Sequence, residues 1–375
     1  MGYQIAVIGG GAAGLCAAIA AAEAGSTVVL CEKNARVGKK LLLTGNGRCN
    51  LSNLSAAPYA YNDPSFVAPV LSALGCGEMR AFFGSLGLWT YADELGRVYP
   101  VSETSTSVLD VLRLHCEALG AQTLCGREAV ELRARKGGWQ ILFREGEAIS
   151  ARRVIVATGG GTKLLRCAGH TVTPFEPVLC PIAADTAPIR GLSGLRVKCR
   201  AVLMEKDKKI AAERGEILFR DYGVSGIAAF DLSRFVRAGQ TLVLDLMPDM
   251  PESELKDQLA GRDMPTCEIF TGIFHRRVGE AILRAAGSGA PDALAHTIKN
   301  FTLSVTGKAE PKLAQVTRGG AKNGEFDPET MASRLCPGLY AAGEALDVDA
   351  RCGGFNLHWA FASGLTAGRS AACSK

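Results

Sequence analysis

The segment Gly9–Gly14 combines the spacing and the small side chains needed to hold a phosphate group. It reads Gly-Gly-Gly-Ala-Ala-Gly and fits the pattern G-x-G-x-x-G. We expect Gly9 to permit a tight turn, Gly11 to let the backbone approach a diphosphate, and Gly14 to let a helix pack closely on a strand. The helix N-terminus would add favourable partial positive charge. The predicted contacts are Gly9, Gly11, Ala12, Ala13 and Gly14.

The flanking residues predict one strand–helix–strand unit. Ile5–Ile8 is an apolar run, Ala12–Ala24 is an Ala-rich helical stretch, and Thr27–Cys31 is a second apolar run that ends at Glu32. An acid at this point accepts hydrogen bonds from a ribose 2′-hydroxyl and repels a 2′-phosphate, which favours FAD or NAD over NADP. A ligand-free, Ala/Gly-rich helix start is the alternative interpretation, and the combination of strand, helix, strand and acid argues against it.

The loop Lys33–Asn53 favours FAD over NAD. It is rich in Gly, Asn and basic residues, and a flavin nucleotide needs polar contacts along both its diphosphate and its ribityl chain. A solvated basic loop is the alternative, but it would not require so many glycines and asparagines. The predicted contacts are Lys33, Arg36, Lys39, Lys40, Thr44, Gly45, Asn46, Gly47, Arg48, Cys49 and Asn50.

The rest of the chain predicts an α/β protein with a β-rich middle block. Helices are expected at Val67–Leu86, Thr106–Leu119, about 251–295 and Asn356–Ser370, and strands at 128–134, 139–143, 154–157, 197–204, 216–219, 241–246, 301–305 and 338–342. The turn Thr158-Gly159-Gly160 follows a buried strand but lacks the helix and acid of a second dinucleotide fingerprint.

Composition narrows the function classes. The 375 residues are 47% hydrophobic and 21% charged, with a formal net charge of +5 and no dense basic stripe, so nucleic acid is not an expected partner. Thirteen cysteines without a Cys-x-x-Cys pair predict reduced thiols, and no His/Cys/Asp cluster has metal-ligand spacing. We expect no signal peptide and no membrane association, and we predict the cytoplasm.

Several motifs resemble a known family. They are Val7–Gly14, Gly38–Asn50, Gly215–Phe219, Gly338–Glu344 and Cys352–Leu357. Together they resemble the bacterial aminoacetone-oxidase-like, or NAD(P)/FAD-dependent, oxidoreductases, the HI0933-like flavoproteins, across essentially the whole chain. These proteins share the glutathione-reductase type of Rossmann-like FAD domain.

The resemblance implies a domain organisation. An FAD-binding domain would comprise residues 1–187 and 318–375, a small β-barrel insert residues 188–250 and 296–317, and a helical insert residues 251–295. It also implies further cofactor contacts: Val130 at the adenine through its backbone, Thr158 and Gly159 at the diphosphate, Gly343 and Glu344 at the diphosphate or ribityl chain, Asp347, and Gly354, Phe355, Asn356 and Leu357 at the isoalloxazine.

Three departures from the family pattern affect the candidate catalytic residues. The segment after Gly159-Gly160 is short, and a carboxylate, Asp221, stands in the insert where the family has an imidazole. His358 occupies a position where the family commonly has Gln, which places a titratable group near the predicted flavin ring. The catalytic candidates are His358, Asp221 and Tyr222, with a packing or turn role as the alternative for each.

Three functions stay open at this point. The first is an NAD(P)H-linked reductase of an activated C=C bond in a small molecule, with transient binding of NAD(P)H because only one full fingerprint is present. The second is an oxygen-using amine or aminoketone oxidase. The third is a non-catalytic flavin-dependent binding module for RNA or a protein. The missing paired cysteines argue against disulfide reduction, and the sequence does not predict an oligomeric state.

Overall fold

The computed structural model describes residues 2–309 and 314–373. The chain forms two compact units, one containing the residues up to Glu176 together with those from Thr317 onward, and the other spanning Pro177–Val316. In the N-terminal part the elements are β1 Tyr3–Ile8, α1 Ala12–Glu23, β2 Val28–Cys31, β3 Ser52–Asn53, α2 Pro64–Ala73, α3 Cys76–Ser85, β4 Thr90–Ala92, β5 Arg97–Pro100, α4 Ser105–Ala118, β6 Gln122–Leu124, β7 Ala129–Arg135, β8 Gly138–Phe143, β9 Ile149–Val156, α5 Lys163–Cys167 and β10 Val172–Val178.

The remaining elements follow in chain order. They are β11 Ile182–Ala184, β12 Arg196–Glu205, β13 Lys208–Arg220, β14 Gly223–Ser225, α6 Ile227–Leu232, β15 Thr241–Asp245, α7 Glu252–Ala260, α8 Arg276–Ala286, α9 Pro291–Lys299, β16 Phe301–Lys308, β17 Val316–Ala321, β18 Leu339–Ala341 and α10 Phe355–Cys373. Short 3₁₀ turns include Leu41–Gly47 and Gly343–Ala345.

A seven-stranded sheet is the centre of the first unit. Its order is β6-β2-β1-β9-β8-β7, with β18 also paired to β9. The strands β6, β2, β1, β9 and β18 run parallel, and the antiparallel hairpin β7–β8 extends the sheet beyond β9. The strand β1 is buried from Ile5 to Ile8, as expected for a parallel strand covered on both faces. This confirms the predicted Rossmann-like α/β class.

Helices α1 and α10 pack closely because small residues face each other along their contact. A Cβ added at Gly364 would lie 2.3 Å from the carbonyl oxygen of Ala13, and one added at Gly368 would lie 2.4 Å from that of Ala17. Such distances exclude any side chain, so the backbones of the two helices are in direct contact. The C-terminal helix thus holds the helix that follows the N-terminal glycines.

One predicted helix is divided in the structure. Residues 67–86 were expected to form a single helix, but α2 ends at Ala73 and α3 begins at Cys76, with a bend of 48° between them. Gly75 is extended (φ −73°, ψ −173°) and is the N-cap of α3. A glycine in this conformation ends the helical hydrogen-bond ladder, and the sequence prediction of one helix was wrong.

The second unit contains a closed barrel with strand order β11-β14-β13-β12-β15-β16. The helices α7, α8 and α9 contribute Leu255, Ile282 and Leu294 to the same buried apolar cluster as the barrel strands. The chain enters this unit after Glu176 rather than after residue 187, because β11 pairs with β14 and β16 to close the barrel. The helix α9 likewise runs to Lys299, past the expected limit at 295.

Among the described residues, no single helix is both long and apolar enough to cross a membrane. The bent pair α2 and α3 meets the length and composition requirement only when the two helices are taken together.

Candidate functional site

The N-terminal glycines form a cradle in which Gly9 and Gly14 are closed by backbone atoms and Gly11 is open. A Cβ at Gly14 would lie 1.8 Å from the carbonyl oxygen of Gly9, and a Cβ at Gly9, whose φ is +109°, would lie 2.4 Å from that of Ala157. A Cβ at Gly11, by contrast, would meet no protein atom within 4 Å. Gly9 and Gly14 are therefore required by packing, whereas Gly11 borders open space.

The open space lies at the start of α1. Gly11 is the N-cap of this helix, its capping position makes no side-chain hydrogen bond, and the first turn contains no acidic residue. The first backbone N–H groups of a helix have no partner within the helix and attract anions. The cradle thus has the geometry and the charge to bind a diphosphate.

Glu32 is fixed at the end of β2 beside this cradle. Its side chain is buried, and its carboxylate accepts hydrogen bonds from the backbone N–H of Gly10 at 2.7 Å and of Asn34 at 2.8 Å. A carboxylate held in this way retains lone pairs for a sugar hydroxyl. The position is the one at which dinucleotide folds bind a ribose.

A second group of predicted residues meets the start of α1 from the C-terminal part of the chain. Gly343 packs against Ala13, and its N–H donates to the Ser363 hydroxyl at 2.9 Å. Glu344 forms an ion pair with Lys40 at 2.7 Å. A Cβ at Gly159 would lie 3.5 Å from the same Glu344 carboxylate. The structure therefore brings Lys40, Gly159, Gly343 and Glu344 together beside the cradle.

The glycine loop, Thr44–Asn50, has an unusual backbone. Gly45, Asn46 and Cys49 have φ values of +56°, +55° and +58°, in the left-handed region that favours glycine. Non-glycine residues in this region cost about 1–3 kcal/mol and often mark functional sites. Burial raises the pKa of the Cys49 thiol to about 12, so this cysteine is protonated at neutral pH and unsuited to a redox role.

The glycine loop meets the start of α10. A Cβ at Gly354 would lie 2.3 Å from the Ser52 carbonyl oxygen and 2.6 Å from the Asn50 side chain. Asn356 holds the preceding turn, since its amide donates to the Ala350 carbonyl at 2.9 Å and accepts from the Ala350 N–H at 2.8 Å. The N-terminus of α10 and the glycine loop thus form one corner. Phe355 is buried there, and Leu357 is half-buried.

His358 does not have the properties expected of a catalytic base. It is fully buried, its Nε2 lies 2.9 Å from the Leu74 carbonyl oxygen, and its Nδ1 lies 2.7 Å from the Ser52 hydroxyl. The carbonyl can only accept, so Nε2 carries the proton and Nδ1 accepts from Ser52. Burial lowers the pKa of His358 to about 4. We correct the catalytic prediction for His358: both ring nitrogens are used in packing α10 against its neighbours.

The other two catalytic candidates lie in the second unit. Asp221 and Tyr222 are the two residues of the turn between β13 and β14, and the Tyr222 carbonyl oxygen accepts from the Ala184 N–H at 3.0 Å. Asp221 is exposed and Tyr222 is half-buried. This arrangement gives both residues the turn role that was the alternative to catalysis, so it provides no support for a catalytic one.

The remaining predicted contacts have varied surroundings. Lys33, Arg36 and Lys39 are exposed. Val130 lies at a register shift in the β7–β8 pair, where a bulge leaves backbone groups outside the regular ladder. The Thr158 hydroxyl donates to the Gly161 carbonyl oxygen. The Asp347 carbonyl oxygen accepts from the side-chain amides of Asn62 and Asn323. The cofactor roles of these residues stay predictions.

Sequence reasoning missed a cluster around Arg48. Its guanidinium forms an ion pair with Glu103 at 2.6 Å, donates to the Tyr91 hydroxyl at 3.0 Å, and lies 4.5 Å from the centre of the Tyr99 ring. The Tyr91 hydroxyl also donates to Glu103. The hydrogen bond to Glu103 raises the pKa of Tyr91, and the bond from Tyr91 lowers the pKa of Glu103. We call Arg48, Tyr91 and Glu103 the polar cluster.

The structure shows no disulfide bond among the thirteen cysteines, all of which lie within residues 2–309 and 314–373. Within residues 2–309 and 314–373, no three His, Cys, Asp or Glu side chains are grouped as metal ligands would be. The expectation of no metal cofactor stays a prediction.

The comparisons with known proteins identify the family. The sequence matches the HI0933-like protein Rossmann domain over residues 3–370. The chain belongs to this family. The protein is an FAD-dependent oxidoreductase. The family resemblance inferred from its motifs is confirmed. Its residues also fit FAD, because the open space at Gly11, the uncapped start of α1 and the fixed Glu32 match the needs of a diphosphate and a ribose.

Two relatives align with the HI0933-like chain over nearly their full length. It is 34% identical to a 3-dehydro-bile acid delta(4,6)-reductase of Clostridium scindens, covering 98% of this chain and 99% of the relative. It is 26% identical to a ribosomal RNA dihydrouridine synthase of Escherichia coli, covering 96% of each. A solved 3-ketosteroid-delta4-(5alpha)-dehydrogenase of Rhodococcus jostii RHA1 shares the fold with a TM-score of 0.51 at 16% identity, over 99% of this chain and 97% of that one.

Because Gly11 borders open space, we expect a methyl group at this position to weaken FAD binding without affecting the fold. Gly11→Ala adds a Cβ that meets no protein atom, so the variant should fold with an unchanged thermal midpoint. The methyl group would keep the backbone away from the diphosphate, and FAD affinity should fall about tenfold or more, which is about 1.4 kcal/mol. Calorimetric titration of the flavin-free protein with FAD measures this.

Gly324→Ala is the matched control, because its Cβ also meets nothing within 4 Å, and its FAD affinity should equal that of the wild type. Equal FAD affinity of Gly11→Ala and wild type would show that the diphosphate does not bind at this backbone.

The burial of neutral His358 predicts a pH dependence of stability. Between about pH 6.5 and the folded pKa of about 4, the unfolded chain binds a proton that the folded chain does not. Stability should therefore be full above about pH 6.5 and fall as the pH is lowered, by up to about 3 kcal/mol from this group. His358→Gln should lose this part of the slope in denaturant unfolding between pH 7 and 4.5.

His296→Gln serves as the control, because the His296 side chain is 69% exposed, and this variant should keep the slope of the wild type. Identical slopes in His358→Gln and wild type would contradict the assignment of a buried, neutral imidazole.

Proposed function

We propose that the protein reduces a C=C bond conjugated with a ring carbonyl in a steroid-like molecule, with NAD(P)H as the source of electrons. The observation that supports this most directly is the match of 34% identity over almost the whole of both chains to the delta(4,6)-reductase of 3-dehydro-bile acids. That name describes a substrate with a carbonyl group at position 3 and C=C double bonds at positions 4 and 6, so the double bonds are conjugated with the carbonyl group.

The second relative supports the same bond class. A dihydrouridine synthase saturates the C=C bond of a uracil ring, which is also conjugated with a carbonyl group. Two relatives with different substrates thus share one reaction, the addition of a hydride and a proton across an activated double bond. This agreement between two relatives that align over nearly the whole chain supports the reductase over the oxygen-using amine or aminoketone oxidase.

The arrangement of the first unit is compatible with this chemistry. FAD, when bound and reduced, supplies the hydride. The start of α1 would hold the diphosphate, with Lys40 and Glu344 beside it and Glu32 at the ribose. The N-terminus of α10 would lie at the isoalloxazine, where its partial positive charge favours the negative charge of the reduced ring. Each of these residues binds or orients the cofactor.

Transient binding of NAD(P)H agrees with the form of the Gly159–Gly161 turn. The helix that follows it, α5, is only five residues long, Lys163–Cys167. A dinucleotide fingerprint needs a longer helix and an acid after the next strand. The electron donor would therefore deliver its hydride and leave, as the sequence predicted.

A second candidate is the reduction of uridine in ribosomal RNA, favoured by the relative of Escherichia coli. The formal net charge of +5 on 375 residues gives this candidate little electrostatic support. We place it second because the identity to that relative is lower.

Anaerobic stopped-flow absorbance tests the proposed function in two stages. NADH or NADPH should bleach the visible absorbance band of the flavin in the holoenzyme. Addition of 4-androstene-3,17-dione, a steroid enone, should then restore this band, and the ultraviolet absorbance of the enone should be lost. Saturated androstane-3,17-dione is the matched control and should not restore it. A flavin that neither nicotinamide nucleotide bleaches, or a reduced flavin that no enone reoxidises, would contradict the proposal.

A further inference from the structure

The polar cluster joins the glycine loop to a short antiparallel sheet. Arg48 belongs to the loop, Tyr91 to β4, and Glu103 to the turn after β5. The strands are ordered β3-β5-β4, and Tyr91 is paired directly with Tyr99. The adjacent β3 follows the glycine loop, and its Ser52 contacts Gly354 before α10. The polar cluster is thus attached to the corner where the isoalloxazine is proposed to bind.

Stability does not account for this arrangement. The side chains of Arg48 and Glu103 are 43% and 49% exposed, and an ion pair this accessible to water contributes little to the stability of the fold. Glu103 has a φ of +51°, in the left-handed region that is strained for a residue with a Cβ. Arg48 also has a buried Nε without a hydrogen-bond partner. Strain and an incompletely bonded guanidinium at an accessible site are features of a binding or catalytic site.

Two exposed apolar residues lie close to the polar cluster along β4 and β5. Trp89 and Val101 are 77% and 56% exposed and are neighbours across the two strands, since the Val101 N–H donates to the Trp89 carbonyl at 2.9 Å. Each lies two residues from a member of the polar cluster. They border an open groove of about 590 Å³ that is also lined by Leu88, Thr90 and the Gly77, Arg80, Ala81 and Gly84 face of α3. An exposed tryptophan beside hydrogen-bond donors complements an apolar ring system that carries a carbonyl group.

We propose that Tyr91, held by Arg48 and Glu103, binds the carbonyl oxygen of the substrate and donates the proton of the reduction, while Trp89 and Val101 hold the apolar rings. This inference rests on the proposed function and adds the residues that recognise the substrate. The Tyr91 hydroxyl is a donor that turns from Glu103 to the substrate oxygen, and the guanidinium of Arg48 stabilises the negative charge left behind.

The electrons and atoms balance as follows. A hydride, two electrons and one proton, passes from the reduced flavin to the carbon β to the carbonyl group. The C=C π bond breaks, and its electron pair moves to form the enolate. Tyr91 transfers its proton to the enolate oxygen, giving an enol that becomes the saturated ketone, and the tyrosinate regains a proton from water. NAD(P)H, the proposed reductant, returns two electrons to the flavin.

Tyr91→Phe removes the hydroxyl and keeps the ring. NAD(P)H-dependent bleaching of its flavin should equal that of the wild type, whereas reoxidation by 4-androstene-3,17-dione should slow about 10²- to 10⁴-fold, the usual contribution of a general acid. The rate of reoxidation in the wild type should fall at high pH as Tyr91 ionises, and this fall should be absent in the variant.

Binding to the oxidised holoenzyme gives a readout independent of turnover. Titration with 4-androstene-3,17-dione, followed by the shift of the flavin spectrum, should give a Kd raised about tenfold or more by Trp89→Ala, because the exposed indole is lost. Tyr59→Phe, an exposed tyrosine of the same unit, is the matched control and should behave as the wild type in both assays.

The outcomes separate this inference from the proposed function. A wild type that reduces the enone, together with a Tyr91→Phe variant of equal rate and equal pH profile, overturns the role of Tyr91 and leaves the reductase assignment intact. An unchanged Kd of Trp89→Ala would overturn the proposed contact of Trp89 with the apolar rings of the substrate. A wild type that reduces no enone overturns the proposed function and this inference together. Thermal midpoints of the variants equal to that of the wild type show that the fold is retained.

Discussion

Direct contact between backbones holds helix α1 in place, and the cofactor site depends on it. Gly14 lies against the Gly9 carbonyl at one end of the helix, and Gly364 and Gly368 of α10 lie against the carbonyls of Ala13 and Ala17 along its side. A methyl group at any of these glycines would overlap a backbone oxygen. The start of α1 is therefore held within narrow limits, with its free N–H groups directed to the space beside Gly11. The same contacts make the C-terminal helix part of the N-terminal cofactor fold.

Local pattern was enough to predict the parts of the fold made by neighbouring residues. The first strand, helix and second strand, the hairpin β7–β8 and the C-terminal helix all lie within a few residues of their predicted bounds. Each is a recognisable apolar or alternating run, and glycines mark the end of β1 and α1, the hairpin turn and the start of α10. The break between α2 and α3 was missed although Gly75 and Gly77 were a signal for it. The entry into the barrel was placed too late because β11 is only three residues long and is defined by its partners.

Features made by distant residues could not be predicted in this way. The sequence shows His358 at a helix start, but only the packed structure shows that Ser52 and Leu74 occupy both of its ring nitrogens. The polar cluster combines residues 48, 91 and 103, and none of the three stands in a motif that suggests the others. One of the three catalytic candidates that the sequence offered is therefore a buried, neutral imidazole, and the tyrosine that we propose instead lies on a strand without a recognisable motif.

The site described above requires that the backbone at Gly11 binds the diphosphate of FAD, and calorimetric titration of the flavin-free protein with FAD and with FMN measures this binding. FMN carries the same isoalloxazine but lacks the adenosine diphosphate portion. We expect one FAD bound per chain, with an affinity at least about a hundredfold, or about 2.7 kcal/mol, above that of FMN. Equal affinities for the two, or no binding of FAD, would contradict it.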